Sequence, residues 1–209
     1  MTPEEELKSE NKRIQVTVTI KDTQITPPKP VGPSKPDKKI QVKSVRLSAV
    51  KYTYNGKVKT PKVTVTGTDG KKISTKDYKV SYPKGRKQPG IYRVKVTMRN
   101  RYQGTYTLKF KIYPKAVSWK KAQAGKKEIR VSWKKPGGSI TGYQIQYGTD
   151  KKFKKKATAL KSVGKSKGSY RIRKLKRNKT YYVRIRAYKK SGNTKLYGAW
   201  SKRKPVKVK

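Results

Sequence analysis

The chain contains no cysteine and no histidine. Without cysteine there is no disulfide, no thiolate nucleophile and no Cys-built metal site. Without histidine the usual general base and the commonest metal ligand are gone. Acids are scarce: 10 Asp and Glu stand against 59 Lys and Arg in 209 residues, a formal charge of +49. No run approaches the ~20 apolar residues of a membrane span. The first residues, MTPEEELKSENKR, lack the apolar core of a signal peptide. The sequence therefore reads as a fragment of something longer, with any secretion signal or anchor outside it.

Low hydrophobicity and high charge would by themselves point to disorder. The 15 tyrosines argue otherwise, because most recur in alternating runs. Tyrosine buries a large ring and keeps a polar tip, so it builds a core that hydropathy undervalues. The charge is also uneven. Residues 1–41 hold eight bases against six acids, a net of +2. The remaining 51 bases face four acids, a net of +47, which sets a boundary near residue 41.

Within 1–41, Ile14, Val16, Val18 and Ile20 alternate with polar residues, so 13–21 reads as a strand. It is either the last strand of a preceding domain or one that docks on the next. Pro27, Pro28, Pro30, Pro33 and Pro36 follow, and their spacing favours a semi-rigid polyproline linker. Residues 42–114 are a series of short strands. Tyr78, Val80 and Tyr82 share one face, as do Tyr92, Val94, Val96 and Met98, and Tyr106, Leu108, Phe110 and Ile112. Asp69-Gly70 between two strand-like runs is a two-residue hairpin signal. Strands every ~10 residues, punctuated by turns, predict a sandwich.

The C-terminal part has its clearest signal in LKRNKTYYVRIRA at 175–187. Tyr181, Val183, Ile185 and Ala187 fall on one strand face, and Tyr182, Arg184 and Arg186 on the other. Leu175 followed six residues later by Tyr181 is the pattern of a tyrosine corner. Asn178 in the intervening turn tolerates the left-handed conformation that the turn needs.

These pieces resemble two known modules. YTYNGKVKTPKVTV, DYKVSY and GIYRVKVTMRNRYQGTYTLKFKI look like the immunoglobulin-like repeat of Gram-positive bacterial surface proteins. Segment 115–209 resembles a fibronectin type III domain. In that resemblance EIRVSW supplies the core Trp133, ITGYQIQYGTD the inward Tyr143, and KKFKKKATALKSV a lysine-rich edge. The implied fold is all-β: two tandem β-sandwiches, 42–114 and 115–209, after the segment 1–41. The implied setting is extracellular or cell-surface, as a monomer. Only Tyr113-Pro114-Lys115 separates the modules, which implies a limited range of angles.

Two features invite a functional reading. Arg184 and Arg186 could form a cationic contact surface. They could equally stack on Trp200, because Trp200-Ser201 looks like half of the Trp-Ser box of cytokine-receptor fibronectin domains; this structural reading is preferred. The lysines Lys151, Lys152, Lys154, Lys155 and Lys156, with Arg171 and Arg173, are candidate contacts for a polyanion. Solvated strand faces and edges guarded against aggregation are the preferred explanation. No catalytic residue set, cofactor site or metal site is expected, and no nucleic-acid fold is matched. The resemblance implies a non-catalytic spacer, display or adhesion role. Its partners would be anionic cell-wall polymers, glycans or surface proteins of host or bacterium. The alternatives are an accessory region of a secreted carbohydrate-active or wall-processing enzyme, and a module that binds teichoic acid or acidic glycans.

Overall fold

The computed structural model describes residues 40–154 and 157–209. The alternating stretch at 13–21, the proline run, Lys155 and Lys156 lie outside the described residues. The described chain is all-β apart from one short 3-10 turn at Thr75–Asp77 and belongs to one compact unit, Lys38–Lys209.

Six strands form the first sandwich: β1 (Val42–Leu47), β2 (Lys51–Thr53), β3 (Val63–Gly67), β4 (Tyr78–Ser81), β5 (Gly90–Met98) and β6 (Thr105–Tyr113). β1 and β3 pair antiparallel as one sheet. The second sheet runs β2–β6–β5–β4, with β2 parallel to β6 and the other pairs antiparallel. Val65, Val94, Val96, Phe110 and Ile112 are fully enclosed between the sheets. Tyrosines complete this core from its margins, and the hydroxyls of Tyr82 and Tyr92 donate to backbone carbonyls. Tyr82 reaches Pro61 O at 2.6 Å, and Tyr92 reaches Gln88 O at 2.7 Å. That satisfied polar tip lets a half-buried tyrosine substitute for an aliphatic residue in so polar a chain. Burial raises the pKa of both phenols above the usual value.

The Asp69-Gly70 turn closes as a tight loop, with Gly67 N–H donating to Lys71 O at 2.9 Å and Lys71 N–H to Asp69 Oδ1 at 3.0 Å. The arm after the turn is shorter than the sequence implies. It makes a single bridge, Thr66 to Lys72, before Ser74 caps the 3-10 turn. Local hydrogen bonding by Ser74 competes there with continued pairing.

Eight strands form the second sandwich: β7 (Ser118–Gly125), β8 (Glu128–Lys134), β9 (Gly142–Gly148), β10 (Thr158–Gly164), β11 (Ser169–Ile172), β12 (Thr180–Ser191), β13 (Thr194–Tyr197) and β14 (Lys204–Lys207). One sheet is β11–β8–β7; the other is β10–β9–β12–β13, with β14 also paired to β12. Ile129, Val131 and Trp133 from β8 meet Tyr143 and Ile145 from β9 and Val183, Ile185 and Ala187 from β12. The Trp133 and Tyr143 rings pack edge to face, with centroids 5.1 Å apart. Lys176 N–H donates to the Tyr181 hydroxyl at 3.1 Å, and Asn178 takes φ +57° in the turn between them. β10 is a sheet edge, and Leu160 on it is 56% exposed beside Lys161.

The two cores share no residue, but the sandwiches touch. Ser139 N–H donates to Gln88 Oε1 at 2.8 Å. The Tyr54 ring lies against Gly138, where an added Cβ would come within 3.0 Å of it. Gly138 also holds φ +72°. A side chain at this position thus meets backbone strain and a steric clash together. Gly138→Val is expected to cost about 1–2 kcal/mol in urea denaturation from the left-handed backbone alone, and to change the environment of Tyr54. An unchanged midpoint would show that the strained backbone is not held, and an unchanged Tyr54 environment that the contact is not.

Candidate functional site

The described residues hold no cluster of three or more potential metal-ligating side chains, and no helix long and apolar enough to cross a membrane. What the second sandwich does hold is a line of cations and rings on the outer face of β12. Its origin is local. The alternation that sends Val183, Ile185 and Ala187 inward must send Arg184 and Arg186 outward.

β9 lies beside β12 in a register that sets Gln146 opposite Arg184 and Gln144 opposite Arg186. Arg184 Nε donates to Gln146 Oε1 at 2.8 Å. Arg186 donates through Nε and Nη2 to Gln144 Oε1, at 2.9 and 2.6 Å. The guanidinium planes are then covered by rings. The Arg184 Cζ atom is 4.2 Å from the Phe153 ring centre and 4.5 Å from that of Trp200. The Arg186 Cζ atom is 4.2 Å from Trp200 and 3.8 Å from Tyr197. Phe153, Arg184, Trp200, Arg186 and Tyr197 thus follow one another, with Trp200 shared between the two cations. Burial lowers the pKa of both guanidiniums below the usual arginine value. Their compensation comes from amide oxygens and π faces; among the described residues the ion pairs are those of Glu128.

Trp200 is held by its neighbour. Ser201 N–H donates to Ile185 O at 2.8 Å, and the Ser201 hydroxyl accepts from Ile185 N–H at 3.0 Å. Phe153 is held by a loop clamp. Asp150 accepts from Lys152 N–H at 2.9 Å and from Lys154 N–H at 2.8 Å. Those bonds hold the Asp150 carboxyl below the usual aspartate pKa. Phe153 takes φ +56° within the clamp, and its side chain is buried. Residues 151–154 of the lysine-rich run are therefore a folded turn with an aromatic anchor. Phe153, Tyr197, Gln144 and Gln146 are absent from the candidates read from sequence. For Phe153 the available signal is a lone aromatic in a cationic run just after an Asp turn. For the glutamines it is their alternation with Tyr143 and Ile145.

The candidate polyanion contacts are divided. Lys151 and Lys152 line a cavity of about 390 Å³ with Phe153, Arg184, Ser201 and Arg203. Lys154 is exposed and does not line it. Arg171 lies on β11, in the other sheet, and Arg173 follows β11. Glu128 on β8 accepts from Arg130 Nε at 2.7 Å and sits 3.7 Å from Arg171 Nε. The bond from Arg130 is the main reason its carboxyl titrates below the usual glutamate value.

Residues 114–202 match the family model for the fibronectin type III domain. No curated protein matches the chain in sequence. Solved structures that match the chain include a computationally redesigned β-sandwich protein, 17% identical over 44% of this chain and 87% of its own, with a TM-score of 0.34. The FN1–FN3 domains of chicken CNTN1 are 19% identical over 82% of this chain and 68% of theirs, with a TM-score of 0.42. A myokine structure is 17% identical over 46% of this chain and 97% of its own, with a TM-score of 0.36.

Arg186 makes the closer ring contacts and the two-donor bond. Arg186→Ala is therefore expected to cost about 2 kcal/mol in urea denaturation and Arg184→Ala about 1 kcal/mol. A loss below about 0.5 kcal/mol for Arg186→Ala, in the range of exposed contacts, would show that the stack does not stabilise the sheet. The Asp150 clamp has a sign in pH. Its folded pKa lies below the ordinary 3.8, so its stabilisation is complete above that value and disappears as pH falls through the lower folded value. Thermal midpoints should fall on acidification below about pH 4, and Asp150→Asn should show a smaller fall over the same range.

Proposed function

We propose that this chain is a non-catalytic, extracellular structural or adhesion segment of a secreted or surface-attached bacterial protein, with an immunoglobulin-like sandwich preceding the fibronectin type III domain. The match of residues 114–202 to that family carries the reading, because such domains typically serve as extracellular structural and adhesion modules. Fold alone does not assign function, so the side chains are the second support. Each acid of the two sandwiches is engaged in holding backbone or side chains. Asp69 closes a turn, Asp77 Oδ1 accepts from Asn100 Nδ2 at 2.7 Å, Asp150 clamps its loop and Glu128 braces two arginines. A carboxylate already tied into the fold is a poor acid or base for chemistry on a substrate.

The test is localisation together with activity. Antibodies raised against residues 40–209 should label intact producing cells or their culture medium. The purified chain should leave wall polymers and glycans uncleaved. Signal confined to the cytosol, or release of cleavage products, would overturn the reading.

A further inference from the structure

The outer face of the β11–β8–β7 sheet bears groups that the fold does not explain. Register places Arg130 of β8 directly opposite Arg171 of β11 on one side and Gln123 of β7 on the other. The next rung along is Ser169, Ser132 and Lys121. Like charges directly opposite each other across a strand pair weaken a sheet. Arg130 against Arg171 therefore works against stability. Glu128 reduces the repulsion and does a second thing. It meets both arginines at Nε, so one carboxylate fixes two guanidiniums side by side.

The rung of two serines leaves a low centre between cations. Lys121, Arg130, Arg171 and Lys167 from the β10–β11 turn border a trough of about 610 Å³, with Val163 and Tyr170 also in its lining. That size suits a ligand of a few rings. Four cations line it, and Glu128 lies outside the lining. Neighbouring rows stand ~4.8 Å apart, and like-facing residues of one strand ~6.7 Å apart. On this face Arg130, Arg171 and Lys121 thus stand beside Ser132, Ser169 and Gln123, while Val163 of β10 and Tyr170, both packed against the core, border the trough at the sheet's edge.

We propose that this trough binds an acidic glycan, its carboxylate or sulfate drawn to Lys121, Lys167, Arg130 and Arg171 at the border. The mixture of groups selects that chemistry. Cations take the acid group, and paired guanidiniums suit planar or tetrahedral oxyanions. Ser132, Ser169 and Gln123 match sugar hydroxyls. A bare polyphosphate would use only the cations. This site is separate from the lysine-lined cavity beside Arg184, which belongs to the other sheet.

The test titrates the whole chain with a heparin oligosaccharide, an oligogalacturonate and inorganic polyphosphate, at about 50 and 200 mM salt. The first two distinguish sulfate from carboxylate as the preferred acid. Arg130→Gln with Arg171→Gln should weaken glycan binding about tenfold or more, as expected for lost hydrogen bonds to charge. Ser132→Phe fills the trough at constant charge and should weaken it similarly. Lys151→Gln with Lys152→Gln removes the same charge from the other sheet and should change it less than about twofold, a screened long-range effect. Near-ultraviolet circular dichroism checks that each variant is folded. Absence of glycan binding at the lower salt, equal losses in the two double variants, or full affinity in Ser132→Phe would each overturn the site. Polyphosphate binding as tight as either glycan and unaffected by Ser132→Phe would overturn the ligand class.

Discussion

The second sandwich depends on one strand that is used on both faces. β12 is 12 residues long and pairs with β9, β13 and β14. Its inward residues Val183, Ile185 and Ala187 have no exposure. A slip of one residue would turn Arg184 and Arg186 into the core, where unpaired charge is prohibitively costly. The register is thus enforced from two sides. The apolar face must be buried, and the cations must reach the rings and glutamines that await them.

The same constraint governs the whole molecule. A chain with 59 cations and 10 acids cannot neutralise itself by ion pairing. It keeps its cations on outward faces and satisfies the partly buried ones by other means. Arg184 and Arg186 use amide oxygens and aromatic faces. The tyrosine-rich core of the first sandwich answers the complementary problem, since few aliphatic residues are available and rings such as Tyr82 and Tyr92 add area while their hydroxyls find a carbonyl. Acids are then used sparingly, at turns and at the Arg130–Arg171 pair. Spacer or adhesion work fits such a chain, because it asks for a durable shape and a surface rather than a reactive centre.

Much of this was legible locally. Alternation at period two located the inward faces of β5, β6 and β12, and the resemblance to a fibronectin type III domain placed Trp133 of β8 and Tyr143 of β9 inward. Leu175 and Tyr181 marked the corner whose hydroxyl meets Lys176. The hairpin at Asp69-Gly70 was legible as a turn, but its second arm was not, because Ser74 offers the backbone a local partner. Phe153 was hidden within a run of lysines. Only the Asp150 clamp and the position of Arg184 across the sheet give it a role.

The sequence by itself determined which residues face in and which face out, because strand geometry makes that a property of neighbours along the chain. It also determined the scarcity of acids, and with it the need for unusual partners. Tertiary structure decided which cations share a surface. Lys151 and Lys152 came to lie with Arg184, while Arg171 came to lie with Arg130 on the other sheet. Cross-strand register joins residues some forty apart, Arg184 with Gln146 and Arg171 with Arg130. No local pattern encodes that pairing; it follows from the order in which the strands assemble around the core.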